Sequence, residues 1–202
     1  MAFAVAGIVI GAFIASYFFS VRVVYAPIPE QSPVSEIATS AAESLYARSE
    51  PVRLRIPKIN LDTTFVAPLG LNADKTVSVP DSYEQVGWYT YGATPGEIGP
   101  AVILGHVDSY KGAAVFYHLG QLEKGDEVEV TRADGTVATF VVTDMERKPQ
   151  DNFPTERVYG PIDYAGLRLV TCTGIYDHGI LRYSHNLIVY AELKKTQGEN
   201  TQ

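Results

Sequence analysis

From Pro51 onward the chain is a succession of short apolar runs, each cut off by Gly, Pro, Asn or Asp: VRLRIPKI, TTFVAPL, KTVSVP, AVILGHV, DEVEVTRADGTVATFVVTDME, GLRLVTC and NLIVYAEL. Val, Ile, Thr, Tyr and Phe dominate them, the residues that fit a pleated, half-buried surface. Seven or more such runs with few helical periods predict a closed or nearly closed β-barrel over residues 51–195. The clearest hairpin is DEVEVTRADGTVATFVV, where Val128 and Val130 alternate with charged residues and Asp134-Gly135 supplies the turn. Only the stretch from Arg147 to Gly166 lacks an obvious strand. It leads directly into the run that ends at Cys172, and long connections beside a candidate nucleophile often form binding walls.

What precedes the barrel differs in texture. No charge occurs from Met1 to Val21, and the first is Arg22. At ~1.5 Å per residue a helix of that length spans a hydrocarbon core of ~30 Å, so residues 1–26 are expected to be a transmembrane anchor. A cleaved signal peptide would have a basic start and a shorter apolar stretch. Residues 27–50, rich in Pro, Ser, Ala and Glu, read as a stalk, within which SEIATSAAESLYARS can form a helix capped by Ser35. Residues 196–202 are a polar tail.

Composition removes several function classes. With 16 Lys and Arg against 23 Asp and Glu, and no basic run, the chain lacks the clustered positive surface that nucleic acid requires. One cysteine in 202 residues excludes an internal disulfide framework and a multi-thiolate metal site. The carboxylates of the long connection, Asp151, Glu156 and Asp163, are scattered, so no metal and no cofactor is expected.

Cys172 is therefore a free or intermolecular thiol. A lone cysteine is more often a small buried hydrophobe than a nucleophile, and a nucleophile needs an imidazole or a positive dipole to stabilise its thiolate. Of the four histidines, His106 follows Val102-Ile103-Leu104 and a glycine, at the end of an expected central strand. His118 follows a turn, His178 lies in a glycine-containing loop near Cys172, and His185 occupies a strand. Asp108, two positions after His106, would lie on the same strand side, where it can orient the imidazole or close the turn. Acyl transfer also needs a donor for the developing oxyanion, and Arg182 is the only arginine downstream of Cys172. In a continuous strand Arg182, Ser184 and Asn186 share one face while Tyr183 and His185 share the other, and Arg182 lies ~13 Å along from Asn186 unless a bulge intervenes. Arg168 shares a face with Cys172, again ~13 Å away.

Taken in order, PLGLNADKTVSVPDSYEQVGWYTYGATPGEIGPAVILGHVDS, VFYHLGQLEKGDEVEVTRADG, LRLVTC and NLIVYAEL resemble the sortases, and the Gly-Trp-Tyr, Pro-Gly-Glu-x-Gly-Pro and Gly-His-Val-Asp elements resemble class F most. The resemblance runs from about Val52 to Leu193. It implies an eight-stranded β-barrel with short helices, preceded by the transmembrane helix, and a cysteine transpeptidase held on the extracellular face of the cell membrane. By similarity Cys172 attacks the Thr–Gly bond of an LPxTG-like sorting signal to form a thioester, His106 protonates the leaving amine, and Arg182 holds substrate and oxyanion. A cell-wall precursor amine of the lipid II kind then resolves the thioester. Thr171 matches the threonine of the family's TLxTC pattern and, with Asn186 and Asp108, is assigned to substrate contact. Two positions depart from the family: Arg168 stands where TLxTC begins with Thr, and Asn186 where many sortases carry the arginine.

Other readings compete. An L,D-type transpeptidase would carry Ser-His-Gly before its cysteine, and RLVTC has neither His nor Gly. A pilin-polymerising sortase would add an Asp-Pro-aromatic lid segment and a second C-terminal span, which the sequence does not display. The remaining alternative is a non-catalytic, membrane-tethered peptide-binding β-domain, a degenerate sortase.

Overall fold

A computed structural model describes residues 46–194. The expected transmembrane helix, most of the stalk and the polar tail lie outside the described residues, among which no helix is long and apolar enough to cross a membrane. The last residues of the expected stalk lie against the barrel: the Ser49 amide donates to Thr94 Oγ1 at 3.1 Å and the Ala133 amide to the Glu50 carbonyl at 2.8 Å.

Ten strands form among the described residues: β1 (Pro51–Ile56), β2 (Leu61–Thr64), β3 (Gly87–Trp88), β4 (Gly99–Leu104), β5 (Asp108–Ser109), β6 (Gly112–Ala113), β7 (Glu127–Arg132), β8 (Val137–Pro149), β9 (Ala165–Asp177) and β10 (Arg182–Leu193). Eight of them make one sheet in the order β2-β1-β7-β8-β10-β9-β4-β3, and β5 and β6 pair as a small hairpin outside it. The sheet curls until its two edges approach. Phe65, just after β2, bridges Val86, just before β3, and the Val66 amide donates to the Val86 carbonyl at 2.9 Å. The expected barrel is thus an eight-stranded sheet brought almost to closure by two isolated bridges, Phe65–Val86 and Leu69–Tyr89.

Burial along each strand follows its sequence. In β7 the alternation of Val128 and Val130 with charged residues puts the valines in the barrel core and leaves the polar side chains half-buried outside, with Gly135 at φ +84° in the turn to β8. In β4, β9 and β10 the apolar runs are continuous because both faces are covered. One face, with Ala101, Ile103, Leu167, Leu169, Leu187 and Val189, points into the barrel. The other, with Val102, Leu104, Val170, Cys172, Ile188 and Tyr190, is covered by Leu69, Val77 and Tyr89 and by Phe153 and Val158. Val158 belongs to α1 (Thr155–Tyr159), the one α-helix among the described residues. Cys172 therefore sits in the second apolar layer, outside the barrel lumen.

Two expectations change here. KTVSVP forms no strand: Lys75, at φ +65°, turns the chain back, and the segment is held by the isolated bridge Leu71–Val77 and by hydrogen bonds such as that from the Ser78 amide to the Gly70 carbonyl at 2.9 Å. Conversely, β8 runs on through Pro149, pairing with β10, so the stretch from Arg147 is a strand end followed by a 3-10 turn (Gln150–Asn152) and α1.

Candidate active site

Strands β4 and β9 are parallel neighbours, in register from Gly99–Ala165 to Leu104–Val170. Two residues beyond that last pair stand His106, just past the end of β4, and Cys172 in β9, and both line one cavity. The strands part at this point. Gly105 passes so close to Phe116 that a Cβ there would lie 2.6 Å from the ring, and the chain beyond it turns away into the β5–β6 hairpin. The gap left between the diverging strands is a cavity of about 520 Å³, lined on one side by His106, Asp108 and Tyr110 and on the other by Cys172, Tyr176, His178 and Tyr183.

His106 is half-buried, with its ring 4.7 Å from that of Tyr83. Its Nε2 lies 2.7 Å from the Pro80 carbonyl oxygen. A carbonyl only accepts, so Nε2 carries a proton and Nδ1 is the nitrogen free to take one up. Cys172 is 7% exposed. Burial first, and the negative charge of Asp108 second, push its thiol up to about 12, so the resting side chain is protonated at neutral pH. Its Sγ accepts from the buried amide of Gln150, Nε2 at 3.9 Å. Gln150 was not singled out from sequence. The only signal for it was its place in the connection leading toward Cys172.

The other expected site residues are distributed unequally. Asn186 pairs directly with Cys172, so the two share a face; it is fully buried, donates to the Thr171 carbonyl at 3.4 Å, and leaves Oδ1 without a partner. Thr171 pairs with Leu187 and so points into the barrel core. Its hydroxyl is buried there without a partner, on the opposite face of the sheet from the sulfur. Asp108 does line the cavity, but its carboxylate accepts from the Tyr183 hydroxyl and not from the imidazole.

Arg182 is not brought to the cavity. Between Tyr183 and His185 the register of β10 on β9 slips by one residue, with Ser184 alone opposite Gly174 and Ile175 of β9; the φ of +88° at Gly174 and its lack of a Cβ make room for the serine oxygen. The bulge reverses the alternation: Tyr183, paired with Tyr176, joins Asn186 on the Cys172 face, and Arg182, paired with Asp177, goes to the other. The expectation that Arg182 and Asn186 share a face is thereby corrected. Arg168 keeps the face of Cys172 but is a core residue, 2% exposed, donating to the Arg157 and Leu167 carbonyls and the Tyr164 hydroxyl beneath the Tyr190 ring. Among the described residues no group of His, Cys, Asp and Glu side chains is arranged to hold a metal ion.

A half-barrel of this topology with its sole cysteine beside a histidine at the ends of two parting strands agrees with the match of the sortase domain family to residues 54–194. The chain belongs to the sortase family. Sortases are cysteine transpeptidases, and Cys172 is this sortase's one cysteine. Its fold is shared with sortase C-1 from Actinomyces oris, at a TM-score of 0.54 and 22% identity over 73% of this chain and 76% of that one. A lid mutant of sortase A from Corynebacterium diphtheriae gives 0.56 and 18%, over 78% and 77%. Group B Streptococcus pilus island 1 sortase C2 gives 0.55 and 18%, over 75% and 77%. No curated protein sequence matches the chain significantly.

Proposed function

We propose that this sortase is a class F-like enzyme, anchored by residues 1–26 with its catalytic domain on the extracellular face. It cleaves the Thr–Gly bond of an LPxTG-like sorting signal and passes the protein to a cell-wall amine of the lipid II kind. The observation that supports the reading is that His106 and Cys172, each two residues past the last pair of β4 and β9, line one cavity. His106 Nδ1 takes the Sγ proton as the sulfur attacks the scissile carbonyl, and Gln150, already donating to Sγ, stabilises the negative charge that then develops one bond away. Collapse breaks the C–N bond, Nδ1–H protonates the departing glycine amine, and a thioester remains on Cys172. Reversal of the same proton path lets an amine resolve it.

The test is cleavage of an LPxTG peptide by the purified full chain in detergent, followed by mass spectrometry of the acyl-enzyme. Cleavage that persists in Cys172→Ala would overturn the reading. Two observations favour the alternative of a non-catalytic peptide-binding domain: the thiol is held protonated, and among the described residues no lysine or arginine lines the cavity. Under that reading the chain binds the peptide and forms no adduct with it.

A further inference from the structure

The cavity beside Cys172, at about 520 Å³, has far more room than a Thr–Gly bond occupies. Four tyrosines and two histidines line it, together with one carboxylate, that of Asp108. Beyond the sulfur, Tyr183, Tyr176 and His178 stack edge to face along the turn from β9 to β10, with ring centroids 5.2 Å and 4.9 Å apart. Across the space from them stand Asp108 and Tyr110 on the β5–β6 hairpin.

These walls share one electrical sign. The faces of aromatic rings attract cations, and Asp108 adds a full negative charge. The Tyr183 hydroxyl that donates to this carboxylate is neutral, and among the described residues no lysine or arginine lines the cavity to offset it. Lys111, at the exposed tip of the hairpin, lies over the Tyr110 ring at 5.4 Å and is not part of the lining. Apolar walls strengthen the field of a charge they enclose. The space between the two hairpins thus has the makeup of a cation site, with π faces on one side and a carboxylate on the other.

We infer that this space is a subsite for a basic side chain of the sorting signal, on the leaving-group side of the scissile bond. The inference rests on the acyl-transfer reading above, which fixes the direction of the peptide. The scissile carbonyl lies at Sγ and the departing glycine nitrogen at His106 Nδ1, so the peptide beyond that glycine continues along the wall where Asp108 and Tyr110 follow His106 by two and four residues. The residue after the glycine then comes against Asp108, with its side chain between the carboxylate and the rings of Tyr176 and His178. The same contact serves the sulfur. Asp108 helps to keep the thiol protonated, and a cation beside the carboxylate offsets that charge, so substrate of this kind eases the transfer of the Sγ proton to His106.

The experiment uses the full chain in detergent and two LPxTG peptides that continue after the glycine with arginine or with citrulline, its neutral near-isostere. A guanidinium does not resolve a thioester, so the comparison reads recognition of the donor peptide alone. Wild type is expected to favour the arginine peptide severalfold in kcat/KM. Asp108→Asn should bring the two peptides close to equality, and Tyr176→Leu should remove part of the difference. Glu192→Gln, the same charge change on the exposed end of β10, should keep it. Equal kcat/KM for the two peptides in wild type, a preference that survives Asp108→Asn, or an equal loss of preference in Glu192→Gln overturns the inference. A second measurement needs no turnover: the rate of Cys172 alkylation by iodoacetamide is titrated with acetyl-Gly-Arg-amide and with its citrulline counterpart. The arginine probe should act at a severalfold lower half-effect concentration in wild type and lose that advantage in Asp108→Asn. A wild-type chain that forms no acyl product overturns the acyl-transfer reading; the titration then decides the inference, and equal half-effect concentrations overturn it.

Discussion

The hydroxyl of Tyr183 donates to the carboxylate of Asp108 across the cavity that Cys172 and His106 line, tying the base of the β5–β6 hairpin to β10. The two residues are 75 positions apart in sequence and meet because the bulge in β9 opposite Ser184 turns Tyr183 inward. Asp108 thus serves the architecture of the cleft and also places a negative charge near the sulfur, where it raises the thiol after burial has done most of that.

The charge and the tether can be separated. Asp108→Asn removes the charge while its amide oxygen can still accept from Tyr183, so the thiol's midpoint falls from about 12 and more thiolate is present at any given pH. Alkylation of Cys172 by iodoacetamide at pH 8 should accelerate severalfold, with the inflection of the pH–rate curve displaced downward. Tyr183→Phe breaks the tether but leaves the carboxylate, and its inflection should stay near that of wild type. Coincident curves for Asp108→Asn and wild type would show that the charge does not reach the sulfur.

Gln150 offers a different separation, between activity and stability. Its Nε2 donates to Sγ while its buried Oε1 has no partner, so the residue is badly satisfied for a purely structural one. Replacement by Met, of similar shape, removes an orphaned acceptor and should leave the urea midpoint unchanged or slightly higher. If the amide stabilises developing charge, kcat/KM for peptide cleavage should fall about 10²-fold. A fall in both quantities together would mark Gln150 as a packing residue.

Arg182 tests the bulge. On the face of β10 away from Cys172, its replacement by Ala should lower kcat/KM far less than Cys172→Ala or His106→Ala does. Deleting Ile175, one of the two β9 residues that stand opposite Ser184, restores one-to-one pairing, brings Arg182 to the Cys172 face and turns Tyr183 away from Asp108. A loss in Arg182→Ala as complete as that in Cys172→Ala would mean that substrate binding rearranges this segment.

Residue by residue, legibility tracked the range of the interactions concerned. The alternation around Val128 and Val130 and the Asp134-Gly135 turn are local, and they were readable. The continuous runs of β4, β9 and β10 announced burial on two faces, but which strand lies beside which is decided by packing, so the meeting of His106 and Cys172 at one cavity became visible only once β4 lay beside β9. The bulge could not be read because it depends on Gly174 facing Ser184 across two strands, and one slipped residue exchanges the faces of Arg182 and Tyr183. Gln150 was hidden because a strand expected to stop near Glu146 runs on to Pro149 and delivers it beneath the sulfur.

Acid and alkaline limbs of stability have different sources in this fold. Asp144 is held below the ordinary carboxylate range chiefly by the Arg157 guanidinium, Asp134 by the Thr136 hydroxyl, and Asp62 by Arg53. Each folded-state value lies beneath the unfolded one, so the stabilisation is present above about pH 4 and is lost as the pH falls through the folded values. For Cys172 the sign is reversed: its folded value of about 12 lies above the unfolded one, so its contribution is intact below the unfolded thiol's range and disappears as the pH rises toward 12. Urea midpoints should therefore be level between about pH 5 and 8 and decline on both sides. Arg157 is the sharpest probe of the acid limb, since it reaches Asp144 at 2.6 Å and Glu146 at 3.0 Å while lying 3.9 Å over the Tyr190 ring. Its side chain is 47% exposed, so solvent screening limits Arg157→Met to about 0.5–1 kcal/mol at pH 7. The variant should lose less than wild type between pH 5 and 3, because the charge that depresses Asp144 is already gone. A variant whose acid limb is as steep as wild type's would assign that limb to other carboxylates.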